Sequence, residues 1–303
     1  MVNGMIAVEK PEGLSSARAV ARIKKRFKVK KAGHAGTLDP FATGVLLCGL
    51  NKGTKLSRFL LNGEKKYRAV VRLGVETDTL DSTGTVEKEH PSSRVDDVTE
   101  EKLQEIIEQY QGVQSQVPPV YSALKHNGQP LYRLARKGTP VEKPPRTVAI
   151  HAISLVAFSP PLFTIDVHCS AGTYIRSLAR DMGQDLGCGG HLAALARTEC
   201  CGFPLSGSLA LADLESMPLE DAQAHVVPMA ETIPHLPVIH ADDRLMEAVT
   251  FGRSIDSLLA RHAPAGGEEL SFFRVLDKNR DLAAIVQWEP TLGEFKYSCV
   301  FAN

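Results

Sequence analysis

The chain has 303 residues, of which 43% are hydrophobic and 23% charged, with a formal net charge of zero. This composition is that of a globular protein with a sizeable core, and it excludes a disordered or fibrous chain. The N-terminal apolar run, 5–8, is too short for a signal-peptide core, and no window approaches the roughly 18 apolar residues of a membrane span. The six cysteines show no CxxC spacing. We therefore expect a cytoplasmic protein with reduced thiols and no membrane attachment.

Charge is distributed unevenly along the chain. Residues 1–60 contain twelve Lys and Arg against three acidic residues, a net of +9, so the remaining residues carry a net of −9. Within Arg22–Lys31, seven of ten residues are basic and none is acidic. Such a run is often only a solvated surface. An asymmetry of this size nevertheless favours a polyanionic partner, because phosphate binding is driven by counterion release.

Helices and strands are predicted to alternate irregularly. The first helix is predicted after Ser15, which caps it. Its apolar stripe is Ala17, Val20, Ile23 and Phe27. Other helices are predicted at 97–112, 130–138 and 173–186. Apolar or alternating segments predict strands at 45–50, at 67–73, from about 85, at 147–158 and at 162–169. The order lacks the βαβα rhythm of a doubly wound sheet, so the α+β class is expected.

The longest of these predicted helices is the one over 97–112. Asp97 is its expected cap and Gly112 its expected stop. Its apolar residues recur at helical spacing and are predicted to face the core: Leu103, Ile106, Ile107 and Tyr110.

Two domains are expected. The segment 227–237 contains three prolines and little periodicity, which is typical of a linker. Short β-like runs follow it at 272–276, 283–288 and 296–301. We therefore predict a larger domain over 1–230 and a small, mainly β domain over 238–303.

The segment KAGHAGTLDP, at 31–40, places one carboxylate, Asp39, in a glycine-rich turn after the basic run. A residue before proline is pushed out of the α region, so the Asp39 side chain should project from an extended turn. Gly33, Gly36 and Gly44 allow close approach to a ligand, and the strand after them would anchor the turn. An Asp-Pro pair also begins many ordinary turns, so this segment alone leaves both readings open.

A second constellation suggests a metal. Cys188 and His191, with Cys200 and Cys201 nearby, have some of the residue types of a zinc site. Adjacent cysteines rarely both bind one metal, so we expect no metal there.

The segment HAGTLDPFATGVL, at 34–46, resembles the signature of the tRNA pseudouridine synthase B family, which isomerises the T-loop uridine at tRNA position 55. Four further stretches resemble the family in the same order, and together they span most of residues 4–203: KPEGLSS (10–16), KKYRAVVRLGVETDTLDSTG (65–84), QVPPVYSALKHNGQPLYRLARKG (116–138) and CSAGTYIRSLARDMGQDLGCGGH (169–191).

The resemblance implies an isomerase without a cofactor. The glycosidic bond of a flipped uridine breaks, the uracil turns, and its C5 joins C1′ of the ribose. Asp39 matches the family's essential aspartate, which acts either as a nucleophile or as a base on a ribose proton. Arg176 matches the arginine that pairs with it. Tyr67 matches the tyrosine that stacks on the uracil.

Further substrate-binding positions follow from the resemblance. His34 matches a histidine that packs into the T-loop, and Leu195 matches an apolar residue that closes the pocket. Lys66 and Asp81 match other pocket positions. The basic run is expected to bind phosphates through six residues: Lys24, Lys25, Arg26, Lys28, Lys30 and Lys31. One departure is Ala196-Arg197, which stands where the family often has paired arginines and suggests that one phosphate contact is missing.

The resemblance also implies an architecture and partners. We expect a mixed, mainly antiparallel sheet with flanking helices, followed by a PUA-like RNA-binding domain at 238–303. The partner is tRNA, bound at the T-arm and, through the small domain, at the acceptor end. No obligate protein partner is expected, and the protein should be a monomer.

Three other readings compete with this one. A guide-RNA-dependent relative would act on ribosomal RNA inside a multiprotein particle, a non-catalytic RNA-binding module would lack turnover, and a base-excising glycosylase would release free uracil. Isomerisation of bare tRNA by the pure protein distinguishes the expected enzyme from all three.

Overall fold

The computed structural model describes residues 2–264 and 271–302. Its helices are α1 Ser16–Phe27, α2 Ser57–Leu60, α3 Ser92–Asp96, α4 Glu100–Gln109, α5 Leu131–Arg136, α6 Ile175–Asp185, α7 Leu211–Ser216, α8 Leu219–Ala224, α9 Asp243–Phe251 and α10 Asp256–Leu259. Its strands are β1 Gly4–Lys10, β2 Ala32–His34, β3 Thr43–Leu50, β4 Lys65–Leu73, β5 Val75–Thr77, β6 Val86–Glu89, β7 Gly112–Gln116, β8 Lys125–His126, β9 Gln129–Pro130, β10 Arg146–Ser159, β11 Leu162–Cys169, β12 Gly190–Cys200, β13 Phe203–Pro204, β14 Leu209–Ala210, β15 Val238–His240, β16 Ser271–Leu276, β17 Leu282–Glu289 and β18 Glu294–Val300.

A ten-stranded sheet forms the larger part of the molecule. Its main path runs β14-β1-β3-β12-β4-β11-β10-β7, with β2 paired to β3 and β13 to β12. The pairs β1–β14 and β3–β12 are parallel and the other pairs are antiparallel. The parallel pair β3–β12 aligns Thr43 with Ala196 and Gly44 with Arg197. The predicted α+β class with a mixed, mainly antiparallel sheet is confirmed.

Helices cover this sheet through separate apolar clusters. Helices α4 and α6 bury Leu103 and Met182 against strand residues such as Val71 and Ile165. Helix α1 packs against β1 and β3, and its buried positions are Ser16, Ala19, Ile23 and Phe27. The sequence prediction had placed Ala17 in this stripe. Ala17 is exposed because the helix has 3.6 residues per turn, which sets Ala19 and not Ala17 in line with Ile23.

The predicted helix over 97–112 was wrong at both ends. Helix α4 begins at Glu100, and its cap is Thr99, whose hydroxyl accepts a hydrogen bond from the Lys102 amide. Asp97 instead follows the short helix α3. Gly112 begins strand β7, because it pairs with Ile150 of β10. Sequence reasoning also missed β1, β12, α7, α8 and α9. Strand β12 is rich in alanine, and its pairing with β4 and β3 overrides that low strand propensity.

The C-terminal part forms a second sheet, in the order β15-β16-β17-β18, with α9 beside it. The predicted small β-rich C-terminal unit is therefore confirmed. It packs on the larger sheet, since Leu282 and Phe301 share a buried cluster with Met5 and Leu47. The Lys55 ammonium also donates to the Val300 carbonyl at 2.8 Å.

The segment 227–237 has no helix or extended strand, as predicted, but it is firmly attached. The main chains of Met5 and Val227 exchange hydrogen bonds of 3.0 and 2.7 Å, and the Arg274 guanidinium donates to the carbonyls of Ala230 and Leu236. Among the helices that the structure describes, none is long and apolar enough to cross a bilayer.

The β3–β12 contact gives a stability prediction. Gly44 has φ 98°, and a Cβ placed there would lie 2.2 Å from the Arg197 carbonyl oxygen. We expect Gly44→Ala to lower the free energy of unfolding by at least about 2 kcal/mol, because both backbone strain and a main-chain clash oppose it. Gly187→Ala is the control: φ is 80° there, but nothing lies within 4 Å of the added Cβ. Urea unfolding that shows equal losses would contradict the role assigned to the close approach.

Candidate active site

A cavity of about 320 Å³ opens beside the β3–β12 junction. The structure brings together in its wall four residues that the sequence analysis had selected: Asp39, Tyr67, Arg176 and Leu195. They come from the loop between β2 and β3, from β4, from α6 and from β12. A cavity of this size is at the lower end of the range for small-molecule sites, so one nucleotide can be accommodated more readily than a helix of RNA.

The loop that carries Asp39 is held on both sides of the carboxylate. The Ser16 hydroxyl, buried at the start of α1, lies 2.8 Å from both the amide nitrogen and the carbonyl oxygen of Leu38. The fully buried Lys10 ammonium donates to the carbonyl of Pro40 at 3.3 Å. Burial lowers the pKa of Lys10 to about 8, an effect that Asp39 partly opposes. The main chain around Asp39 is thus fixed by two elements distant in sequence.

Arg197 fixes the other half of the same loop. It is only 1% exposed, and its guanidinium donates to the carbonyls of Val45, Gly36 and Thr37 at 2.7, 3.1 and 3.3 Å. The sequence analysis noted Ala196-Arg197 as a departure from the family's paired arginines and assigned Arg197 no role of its own. In the structure this arginine supports the main chain of the Asp39 loop.

Arg176 connects Asp39 to the rest of the cavity wall. Its Nε lies 2.9 Å from Oδ2 of Asp39, and its side chain is 4% exposed. The two terminal nitrogens donate to the carbonyls of Thr79 and Tyr121 at 2.8 and 2.7 Å. Asp81 adds a carboxylate 3.5 Å from Nη1. With all three nitrogens engaged, the guanidinium has little freedom to turn, and it aims the Asp39 carboxylate.

The environment of Asp39 favours its protonated form. Burial raises the pKa of the Asp39 carboxyl above its ordinary value of 3.8. Arg176 acts in the opposite direction, while the negative charge of Asp81 adds to the rise. About a third of the Asp39 side chain, 36%, stays open to the cavity, so a ligand can reach it.

Tyr67 presents a neutral phenol to the cavity. Burial raises its pKa to about 12, and the nearby Arg197 guanidinium only partly opposes this. At neutral pH the hydroxyl is therefore protonated, and it can donate a proton or a hydrogen bond. The ring belongs to β4, where Tyr67 is paired with Arg197 of β12.

The other predicted pocket residues divide into two groups. Leu195 lines the cavity, whereas Asp81 supports Arg176 from behind and is 4% exposed. Lys66 was expected in the pocket, and that was wrong. Alternate strand residues face opposite sides, so Lys65 lines the cavity while Lys66 turns away and pairs with Glu199 at 3.0 Å.

His34 lies in β2, just before the Asp39 loop, and outside the cavity wall. Its buried Nδ1 has no hydrogen-bond partner among the described residues, and burial lowers its pKa. The ring is therefore neutral at neutral pH.

The basic run of the sequence is mostly exposed. Five lysines of the predicted phosphate-binding set lie on the surface, and they lead from α1 into β2: Lys24, Lys25, Lys28, Lys30 and Lys31. Arg26 differs, because it donates to the carbonyls of Leu214 and Met217. Arg22 pairs with Glu215.

The suggested zinc constellation does not converge. Cys200 Sγ faces the Ala35 carbonyl at 3.7 Å, and the His191 Nδ1 atom lies 2.8 Å from the Val75 carbonyl oxygen. Across residues 2–264 and 271–302, no group of three or more His, Cys, Asp or Glu side chains has metal-binding spacing.

Sequence reasoning missed several residues of this site. Lys10 and Ser16 lie within the stretch KPEGLSS, and Ser122 and Tyr174 lie within other quoted stretches, yet none of these was assigned a role. Arg146, which also lines the cavity, lies outside every quoted stretch. For Lys10 and Ser16, their place in a stretch that resembles the family was the available signal.

Comparisons with known proteins agree with this geometry. The family model "TruB family pseudouridylate synthase (N terminal domain)" matches residues 24–175, and "tRNA pseudouridylate synthase B C-terminal domain" matches residues 176–233. The tRNA pseudouridine synthase B of Bordetella avium (strain 197N) is 47% identical over 216 residues, which are 71% of this chain and 88% of that protein. The tRNA pseudouridine synthase B of Syntrophobacter fumaroxidans (strain DSM 10017 / MPOB) is 39% identical over 292 residues, 95% of this chain and 93% of that protein.

Solved structures extend the likeness to almost the whole chain. A chain from the crystal structure of a Cbf5-Nop10-Gar1 complex superimposes with a TM-score of 0.73 at 27% identity, covering 98% of this chain and 84% of that one. A chain from an H/ACA RNP bound to a substrate RNA containing 2′-deoxyuridine gives a TM-score of 0.69 at 25% identity, covering 98% and 82%.

Fold and site together define an isomerase of the pseudouridine synthase class. The chain belongs to the TruB family of pseudouridylate synthases.

The electrostatics of the site can be tested directly. We expect the pKa of Asp39, followed by ¹³C-carboxyl NMR, to lie above its ordinary value and to rise further in Arg176→Gln, because the opposing positive charge is removed while burial remains. The carboxylate is then lost at a higher pH as the solution is acidified. Arg180→Gln, on the same helix but paired with Asp181, should leave the Asp39 titration unchanged. An unchanged or lower Asp39 pKa in Arg176→Gln would contradict this account.

Proposed function

We propose that this protein converts the T-loop uridine at position 55 of tRNA to pseudouridine, and that Asp39 is the essential carboxylate. The observation that carries the proposal is the contact of 2.9 Å between Asp39 and the buried Arg176, in a cavity that Tyr67 also lines. Family membership supplies the reaction class, and the names of the curated relatives support tRNA as the substrate.

The reaction requires the target base to leave its stack. A uridine inside a folded T-loop must be flipped out, at a cost of a few kcal/mol, before its glycosidic bond can reach a carboxylate on the protein. Inside the cavity, Tyr67 stacks on the uracil, and Leu195 closes the apolar side. His34, next to the loop that carries Asp39, packs where the base has left.

Asp39 acts in its ionised form, either as the nucleophile that adds to the nucleotide or as the base that takes a ribose proton. Arg176 keeps the carboxylate oriented and offsets part of the burial that raises its pKa. Breaking the C1′–N1 bond, turning the uracil and forming the C1′–C5 bond leaves one proton on C5. That proton must leave C5, and N1 must gain one from water. The neutral phenol of Tyr67 can relay the C5 proton, accepting it on the phenol oxygen while its own proton passes to water.

Binding of the rest of the tRNA is proposed to use surfaces outside the cavity. The five exposed lysines of the basic run contact phosphates of the T-arm. The domain boundaries proposed are 1–230 for the catalytic domain and 238–303 for an RNA-binding domain that touches the acceptor end. The enzyme works in the cytoplasm as a monomer, without a guide RNA or a protein partner. The likeness to chains from H/ACA particles makes a guide-dependent enzyme the second candidate.

The first experiment measures tritium release from C5-labelled uridine in an unmodified tRNA transcript, with pure protein and no added metal or cofactor. Wild type should release tritium from position 55 only, because re-attachment through C5 displaces its hydrogen. Asp39→Asn should reduce turnover to background and keep tRNA affinity within about threefold, since it removes one charge and almost no volume.

The controls separate the alternatives. A transcript with cytidine at the target should release nothing, and free uracil in the products would identify a glycosylase. Tight binding without release from any transcript would favour the guide-dependent or the non-catalytic reading. Loss of tRNA binding in Asp39→Asn would show that Asp39 is structural.

The basic run gives a separate prediction. Replacing Lys24, Lys25, Lys28, Lys30 and Lys31 by Gln should weaken tRNA binding and flatten the plot of log K against log salt concentration, by about 0.7 to 0.9 for each phosphate that the protein no longer neutralises. Lys88→Gln with Lys102→Gln, on exposed positions of β6 and α4, is the matched control. A salt slope that equals that of wild type would remove the basic run from the interface.

A further inference from the structure

One cavity-lining arginine is not explained by the catalytic contacts. Arg146 begins strand β10, and its guanidinium faces the cavity. Within the described part of the chain it makes no ion pair, and its buried Nε has no hydrogen-bond partner. The two other cavity arginines are occupied, Arg176 by Asp39 and Arg197 by main-chain carbonyls. A buried donor without a partner costs free energy, which a ligand can recover.

The surroundings of Arg146 hold it in one orientation. Its Cζ lies 4.5 Å from the centre of the Tyr174 ring, so one face of the guanidinium is covered. Gly172, with φ 89°, lies on another side, and a Cβ placed there would be 3.4 Å from Cζ and 3.5 Å from each terminal nitrogen. Stacking leaves the in-plane N–H groups available, and these are the groups with which arginine binds anions.

A second, independent observation points to the same ligand. Ser122 is 4% exposed and lines the same cavity, and its hydroxyl oxygen is buried without a hydrogen-bond partner among the residues described. Two residues with unsatisfied polar atoms, one a cation and one a hydroxyl, therefore line the same cavity. A partly buried guanidinium with a buried, unpaired Nε and no acidic partner is suited to bind an anion, and its planar fork matches the oxygens of a phosphate.

We propose that Arg146 and Ser122 form a phosphate subsite, which binds the phosphodiester that flanks the flipped nucleotide. This inference rests on the proposed function and adds the group that the cavity wall recognises beyond the base and the ribose. The subsite differs from the basic run, whose lysines are exposed and contact phosphates outside the cavity. Arg146 anchors the nucleotide by its own backbone, which keeps the base extruded while Tyr67 and Asp39 act on it.

The test is a double-mutant cycle that combines protein variants with modified RNAs. Dissociation constants are measured for each combination. T-arm stem-loop RNAs carry a single uncharged methylphosphonate at one of the two linkages that flank the target uridine. The 2′ hydroxyl next to that linkage is methylated, and the matched RNA has the same 2′-O-methyl group with a normal phosphodiester. For wild type, the methylphosphonate at one of these linkages should weaken binding roughly 10- to 100-fold, the range for hydrogen bonds to charged groups.

Arg146→Gln should lose a similar factor on the phosphodiester RNA and lose almost nothing more when the methylphosphonate is introduced. Arg146→Lys, which keeps the charge without the planar fork, should fall between the two, and Ser122→Ala should cost a few-fold. Arg72→Gln is the matched control, since Arg72 is exposed on β4, roughly 17 Å from Tyr67 along the strand. It should bind like wild type and keep the full methylphosphonate penalty.

Two results overturn the subsite: no penalty for wild type at either linkage, which requires no variant at all, or a full additional penalty in Arg146→Gln. Tritium release by wild type from the unmodified stem-loop tests the proposed function separately. If wild type turns over the stem-loop but the affinity losses from Arg146→Gln and from the methylphosphonate add, the subsite alone is rejected. If wild type shows no turnover, the proposed function is rejected.

Discussion

The contact between Asp39 and Arg176 is the interaction on which the rest of the site depends. A carboxylate in this cavity is disfavoured by burial, which raises its pKa, and the guanidinium at 2.9 Å supplies the main opposing effect. Arg176 itself is almost completely buried, so it needs the carbonyls of Thr79 and Tyr121 and the nearby Asp81 as well as Asp39. Each partner favours the charged form of the other, because Arg176 is almost completely buried and Asp39 is partly removed from water.

The position of Asp39 at this contact is fixed by side chains that hydrogen-bond to the main chain of its loop. Ser16, Lys10 and Arg197 contact Leu38, Pro40, Gly36 and Thr37, which surround Asp39 in the loop. They belong to α1, β1 and β12, so the loop is held by three elements from different parts of the chain. A reacting group must be held within a fraction of an ångström, and a loop tied at several points meets that requirement better than a free turn.

The basic residues of this protein therefore have two different roles. Lys10, Arg176 and Arg197 are buried and organise the cavity, and their donors are used by carbonyls and by Asp39. The lysines between α1 and β2 are exposed and available to a polyanion. Both kinds have the same formal charge in the sequence, and only burial distinguishes them. The uneven charge along the chain thus overstates the number of unpaired basic residues, since Arg22 pairs with Glu215 and Arg26 donates to main-chain carbonyls.

Several features of this protein were determined by the sequence itself. Short-range patterns located β3, β4, β10, β11 and α6, because alternation and helical spacing depend on neighbours alone. The matched stretches selected Asp39, Tyr67 and Arg176, the wider resemblance selected Leu195, and the structure brings these four to one cavity. The family follows from the same stretches, since five of them occur in one order.

Only the tertiary structure decided the rest. The alanine-rich β12 is a strand because it pairs with β4 and β3, which no local propensity indicates. The predicted strand began at Tyr67, so the alternation that places Lys65 and not Lys66 on the face of Tyr67 became evident only when β4 was found to begin at Lys65. The burial of Arg197 and the unpaired donors of Arg146 and Ser122 depend on contacts between residues far apart in the chain. Such contacts form only when the chain folds. They determine which charged side chains have no partner in the protein and can therefore bind a ligand.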